Sequence, residues 1–238
     1  MNIPKITKKD FIVIITGAGI SAESGIKTFR DSDGLWENHK VEDVATPEAF
    51  KRNPQLVWEF YKQRYFQAQE VSPNAGHHAL VELENHFQDN FFLITQNVDG
   101  LHKRAGSIRQ VEMHGTLNTC FCTKCHAKFN MNEIDLTKEI PICPKCDKNL
   151  RPDIVWFGEM PYYLDEIFDK VKKATVFITI GTSGQVYPAS YFITEARHNG
   201  AITIGVNYDK PENSYYIDHF YQGKAGEILP KLVAEMIK

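Results

Sequence analysis

The chain has 238 residues, 42% of them hydrophobic and 24% charged, with a formal net charge of -3 at pH 7. That length buries the core of one large domain or of one domain carrying a smaller lobe, and no low-complexity tract argues for disorder. The slightly acidic balance excludes a general attraction to nucleic acid or anionic membranes, and no apolar run approaches the roughly eighteen residues of a spanning helix, so neither partner is expected.

The opening MNIPKITKK is mildly basic, but the apolar run behind it, residues 11–15, is too short for a signal-peptide core. The expectation is a cytoplasmic protein without a cleaved leader. Residues 11–16, FIVIIT, are β-branched and end at glycine, which is the look of a strand buried on both faces of a parallel sheet. The loop that follows, TGAGISAESG, satisfies the dinucleotide pattern with Gly17, Gly19 and Ala22 in a strand-to-helix context. Glycines let the backbone approach a pyrophosphate, and a helix N-terminus stabilises the charge.

A hydride-transfer domain would next show a second strand ending in an acidic residue. Residues 37–72 show helical patterning instead, so dinucleotide binding is supported and a dehydrogenase is not. A helix is expected over 74–87, a strand over 91–95, a short strand over 109–113 and a cysteine-bearing segment over 118–150. Strands over 175–180 and 201–206 enclose a helix over 188–199. Strands alternating with helices predict an α/β fold, a doubly wound parallel sheet, with a smaller inserted domain made of the helical and the cysteine-bearing segments. Residues 1–36, 84–118 and 151–238 are assigned to the large domain, and 37–83 and 119–150 to the small one.

Cys122 and Cys125 form one CxxC pair and Cys143 and Cys146 another, at the separation of a zinc ribbon. Four thiolates close a tetrahedral shell, so the metal is one structural Zn²⁺ with no open position for chemistry. A redox pair is the competing reading of any single CxxC, and two pairs at ribbon spacing count against it. The fifth cysteine, Cys120, is read as a small buried residue, with a ligand exchange as the lesser alternative.

Taken together, GAGISAESGIKTFR, TPEAF at 46–50, TQNVDGLH at 95–102, MHG at 113–115, the CxxC pairs, WFGE at 156–159 and GTSGQVYPA at 181–189 resemble the sirtuin family in order and content. The resemblance runs over almost the whole chain. It implies a Rossmann-like domain that binds NAD, a zinc lobe, and an acylated lysine side chain of a protein entering between them. NAD is then consumed as a co-substrate, and the products are nicotinamide, free lysine and an acylated ADP-ribose.

The resemblance implies that His114 is the general base that takes a proton from the ribose hydroxyls, a task suited to a histidine pKa near ~6.5. Gly17, Ala18, Gly19, Ser21, Ala22, Phe29, Arg30 and Trp36 fall on the family's cofactor loop. Gln96, Asn97 and Asp99 fall around the nicotinamide and its ribose, although NVDG also makes a good turn. Gly181, Thr182, Ser183, Asn207 and Ala225 complete the cofactor set. Val155, Phe157, Gly158 and Glu159 on one side, with Val186 and Tyr187 on the other, bracket the substrate backbone by strand addition. Asp31 departs from the small residue that many relatives carry and is left out of the site.

Tyr61 and Arg64 stand three apart on one helical face. They match the YxxR pair of the desuccinylase and demalonylase branch, in which arginine pairs with a carboxylate and tyrosine donates a second hydrogen bond. An acidic acyl group is therefore the expected guest. Two rival functions share these residues: mono-ADP-ribosyl transfer, and a non-catalytic NAD and zinc-ribbon interaction module.

Overall fold

The computed structural model describes residues 3–26, 35–36 and 39–238, with backbone alone for 35–36. Its centre is β1 (Ile12–Thr16), every residue of which is buried. The chain then runs through two single-turn 3-10 segments, the short antiparallel pair β2 (Leu35–Trp36) and β3 (His39–Lys40), and three helices: α1 (Val41–Val44), α2 (Pro47–Arg52) and α3 (Pro54–Glu70). Local chemistry sets the helix starts. Thr46 Oγ1 accepts from Ala49 N and Asn53 Oδ1 from Leu56 N, with a proline in the first turn of each helix.

The large domain continues with α4 (Ala75–Phe87), β4 (Phe91–Thr95), α5 (Leu101–Ala105) and β5 (Gln110–Glu112). Next come β6 (Gly115–Cys122), β7 (Lys128–Asn130) and β8 (Leu150–Ile154), then α6 (Leu164–Lys173), β9 (Val176–Ile180) and α7 (Phe192–His198). The chain closes with β10 (Ile202–Asn207), β11 (His219–Gln222) and α8 (Ala225–Met236).

Six strands form one parallel sheet in the order β11-β10-β9-β1-β4-β5. Side chains alternate between its faces, as a period of two requires. Ile12, Ile14, Leu93 and Ile178 pack beneath α4 and α8, whereas Val13, Ile15, Ile94 and Phe177 pack beneath α6 and α7. This is the doubly wound fold expected. The chain order reverses at β1, between β4 and β9, and ligand crevices form beyond the carboxyl ends of strands at such a point.

The smaller lobe joins α1–α3 to a three-stranded antiparallel sheet, β7-β6-β8. One apolar cluster holds Val57, Phe60, Tyr61, Leu117 and Trp156, and a second holds Trp58, Met131, Leu150 and the buried cysteines. Trp58 Nε1 donates to Leu150 O at 2.8 Å and ties the helices to the sheet.

Three expectations shift. The division at 83/84 cuts through α4, whose Ala79, Leu80 and Leu83 belong to the large core, so the lobe ends before α4. Those at 118/119 and 150/151 cut β6 and β8, which stay together because they pair with each other. No α-helix directly follows β1: residues 18–24 form 3-10 turns.

Candidate active site

Four loops meet at the carboxyl edge of the large sheet. Gly17 N donates to Ile180 O at 2.9 Å, and Gly19 N to Gly181 O at 2.9 Å, so the loop after β1 lies against the loop after β9. A Cβ on Gly17 would stand 2.8 Å from Gly181 O, and one on Gly19 would stand 2.7 Å from Gly181 Cα. Only glycine permits that approach. Gly181 itself has φ +61, in the left-handed region that favours glycine. The β10 loop joins through Asn207 Nδ2, which donates to Thr182 O at 2.9 Å. Gln96 Nε2 donates to Thr182 Oγ1 at 3.3 Å from the loop after β4.

Asn97 and Asp99 are buried and turned inward. Asn97 Nδ2 donates to Gly17 O and to Ser21 Oγ, both at 3.1 Å. Ser21 Oγ donates to Asp99 Oδ2 at 2.7 Å, and Leu101 N to Asp99 Oδ1 at 2.9 Å. Burial holds the Asp99 carboxyl above the usual range, and the Leu101 and Ser21 bonds offset part of that rise. The side chains read from NVDG as turn or ligand residues are thus wired into the glycine loop.

His114 follows β5 and begins the crossing into β6. Its Nδ1 lies 3.2 Å from Gln96 O. A carbonyl oxygen only accepts, so the bond requires the proton on Nδ1 and leaves Nε2 as the basic nitrogen. Burial pushes the imidazole pKa below its ordinary value, and the Gln96 bond opposes that shift. His114 O accepts from Val155 N at 2.9 Å, which joins the histidine to the residue between β8 and the WFGE segment of the smaller lobe. The base therefore stands on the seam between the two parts of the molecule.

The four sulfurs of Cys122, Cys125, Cys143 and Cys146 lie within 4.8 Å of one another. Cys122 and Cys146 are 3.4 Å apart, and Cys125 and Cys143 are 3.7 Å apart. Zinc–sulfur bonds of ~2.3 Å in a tetrahedron put sulfurs about 3.8 Å apart, so the group fits Zn²⁺. Backbone N–H groups of Lys124, Cys125 and Lys145 point at the sulfurs, as thiolate ligands require. Cys120 lies outside this group, buried, with its thiol pushed up to about 12 by burial.

The Sir2 family profile matches residues 17–188. An NAD-dependent protein deacylase of Bdellovibrio bacteriovorus is 50% identical over 95% of this chain and 97% of its own. One of Pyrococcus furiosus is 48% identical over 97% and 95%. The chain belongs to the Sir2 family. A Sir2 homologue mutant in complex with ADP-ribose superposes with a TM-score of 0.90 at 39% identity, covering 96% of this chain and 93% of that one. A Sir2–p53 peptide–NAD⁺ complex gives 0.82 at 28% identity, covering 94% and 92%.

The remaining expected positions of this Sir2-family chain fall as follows. Phe29 and Arg30 lie outside the described residues, as does the side chain of Trp36. Ala18 and Ala22 lie in the 3-10 turns after β1. Ala225 opens α8, close enough to Gly76 that a Cβ there would meet its carbonyl at 3.3 Å. Ser183 ties its loop to the one after β10, its carbonyl accepting from Glu212 N. Phe157, Val186 and Tyr187 are exposed, and Gly158 has φ +91.

Glu159 has a different surrounding from the one expected for a substrate contact. Its carboxylate accepts from Arg151 Nη1 at 2.8 Å and Nη2 at 3.0 Å, and from Trp156 N at 2.9 Å. Burial opposes ionisation, but the Arg151 bonds outweigh it and hold the carboxyl below its usual range. It shapes the loop from inside. Tyr61 is fully buried on α3, and the Arg64 guanidinium carbon lies 5.2 Å from the Phe60 ring centroid.

Sequence reasoning missed His77, His102, Arg151 and Trp156. His77 Nδ1 accepts from Asn74 N at 3.2 Å and its Nε2 lies 3.5 Å from Ser21 Oγ. His102 Nε2 lies 3.0 Å from Thr16 Oγ1. Asn three residues before a histidine, in NAGH, was a legible capping pattern. His102 and Trp156 lie in the TQNVDGLH and WFGE segments, where they received no role, and nothing local marks Arg151.

Proposed function

We propose that this protein is an NAD-dependent protein-lysine deacylase with a preference for acidic acyl groups. The observation that carries the reading is the His114 arrangement: a base with Nε2 available, hydrogen-bonded to the loop that also bears Gln96, Asn97 and Asp99. Bound NAD supplies an electrophilic ribose carbon with nicotinamide as leaving group. Gly17, Gly19, Gly181 and Thr182 would hold its phosphates and Asn207 its adenosine ribose, while Ser21, Asn97 and Asp99 would orient the nicotinamide end.

His114 is neutral near pH 7 and accepts the proton of a ribose hydroxyl at Nε2 as the acyl group moves to that sugar. The exposed Phe157 and Tyr187 segments hold the substrate backbone between them as an added strand, with modest demand on its sequence. Arg64 pairs with a succinyl or malonyl carboxylate and Tyr61 donates to it, offsetting the loss of water around that charge. Zn²⁺ on the four cysteines holds the lobe together and takes no part in the reaction. No helix among the described residues is long and apolar enough to cross a membrane. Zinc-binding thiolates suit a reducing compartment, which supports the cytoplasm.

The test is mass spectrometry of acetyl, malonyl, succinyl and glutaryl lysine peptides incubated with NAD. Nicotinamide release dependent on acylated peptide, with label from NAD in an acyl-ADP-ribose, is the expected result. Label on protein would instead identify an ADP-ribosyltransferase. Equal turnover of acetyl and succinyl peptides would end the acidic-acyl reading alone.

A further inference from the structure

Trp156 Nε1 donates to the Tyr61 hydroxyl at 2.9 Å, deep in the smaller lobe. The two residues are 95 positions apart in sequence, and their ring centroids lie 6.3 Å apart. An indole N–H is a donor only, so the phenol oxygen is the acceptor in this pair and its own proton is directed to a different acceptor. Burial raises the Tyr61 pKa, which keeps that proton on the oxygen.

The indole is itself fixed. The Arg151 guanidinium lies 3.5 Å from its ring centroid, and Phe50 packs 5.4 Å away. Arg151 is anchored in turn by its two-pronged pair with Glu159, whose carboxylate also accepts from Trp156 N. The ring has little freedom to turn its N–H away.

We propose that Trp156 is a specificity-determining positioning residue, which sets the Tyr61 hydroxyl as a hydrogen-bond donor for the carboxylate of an acidic acyl-lysine. This rests on the acidic-acyl reading of Tyr61 and Arg64 above. Trp156 acts through Tyr61 and touches no reacting atom. An acetyl group has no carboxylate for the phenol to meet, so the orientation of the phenol bears on the choice of acyl group more than on deacylation itself.

The experiment replaces Trp156 with 3-benzothienylalanine, whose sulfur takes the place of N–H while the ring keeps its size and its stacking on Arg151. Trp156→Phe, Tyr61→Phe and the Tyr61→Phe protein carrying benzothienylalanine complete a double-mutant cycle. The readout is the ratio of succinyl to acetyl kcat/KM. The benzothienylalanine protein should lose about tenfold in that ratio, of the order that loss of one buried hydrogen bond produces. Trp156→Phe should move the ratio in the same direction, and Tyr61→Phe should lose at least as much. Benzothienylalanine added to Tyr61→Phe should cost nothing further in the ratio, because its route of action is already gone. An unchanged ratio in the benzothienylalanine protein, or full additivity in the cycle, overturns the proposal while leaving the acidic-acyl preference of the unmodified enzyme standing. An unmodified enzyme without that preference overturns both.

Discussion

The two sheets are held by different physics. In the six-stranded sheet, β1, β4 and β9 are buried at every position, and aliphatic side chains are shared between two helix-covered faces. The three-stranded sheet has no such supply: β7 is exposed at two of three positions, and the cluster behind it is built from Trp58, Met131, Leu150 and cysteines. Apolar burial of roughly 25 cal/mol per Å² suffices for the first. The second needs a metal to close residues 122–146, because so short a segment has too little apolar surface to offset its ordering. A parallel sheet can therefore leave its loop edge polar and open for ligands, whereas the zinc lobe spends its polar side chains on its own structure.

Breaking the metal is the strongest test of this contrast. Cys143→Ser should abolish zinc content of about one per chain and cause unfolding or aggregation of the smaller lobe, with loss of all turnover. Elemental analysis with thermal denaturation reads it. Full activity in a folded, metal-free protein would show that the lobe stands on its apolar contacts.

His114 belongs to neither core, so His114→Ala should separate chemistry from stability. Turnover should fall by about 10²–10⁴-fold, while NAD binding by calorimetry and the melting temperature stay near the unmodified values. A large drop in melting temperature would mean that the seam itself is a structural element.

Arg64 sharpens the same contrast from the lobe side. Arg64→Met should lower desuccinylation kcat/KM by roughly 2–5 kcal/mol and deacetylation far less, whereas Arg64→Lys should rescue in part, since lysine lacks the planar fork. Equal losses on both peptides would assign Arg64 to the fold.

The smallest effect comes from buried histidines of the large domain. Burial lowers the pKa of His77 to about 4 and that of His102 to about 3. The unfolded chain, with values near ~6.5, binds their protons first, so their stabilising effect is complete above that pH. It is lost as pH falls from about 6.5 towards 4 and 3, so near neutral pH almost none of it is at stake. Urea unfolding at fixed zinc should give a shallower pH slope for His102→Gln than for the unmodified protein. Identical slopes would mean that His102 takes up its proton alike in the folded and unfolded states.

Much of this was legible locally. The runs IVIIT, FFLIT and VFITI are β-branched or aromatic and end at loops, so both their strands and their parallel pairing follow from pattern. The paired CxxC spacing names the metal and its four ligands, because thiolate chemistry depends on residue type and separation alone. β11, HFYQ, carries no apolar run and was passed over. As an edge strand it needs one backbone neighbour and no doubly buried face.

Residue order could not decide what depends on contacts between distant segments. The glycines of the loop after β1 are legible as a dinucleotide-binding pattern, but that they also seat this loop against the backbone of Gly181 is not. α4 reads as part of the helical insertion, yet its apolar face packs with α8 over the large sheet. The basic nitrogen of His114 is set by a carbonyl 18 positions away, and the Tyr61 hydroxyl by an indole 95 positions away. Periodicity and spacing report what one segment can form by itself. A tautomer, a donor direction or a close backbone approach is set by whichever group the folded chain brings within 3 Å or so, and only the tertiary structure decides which group that is.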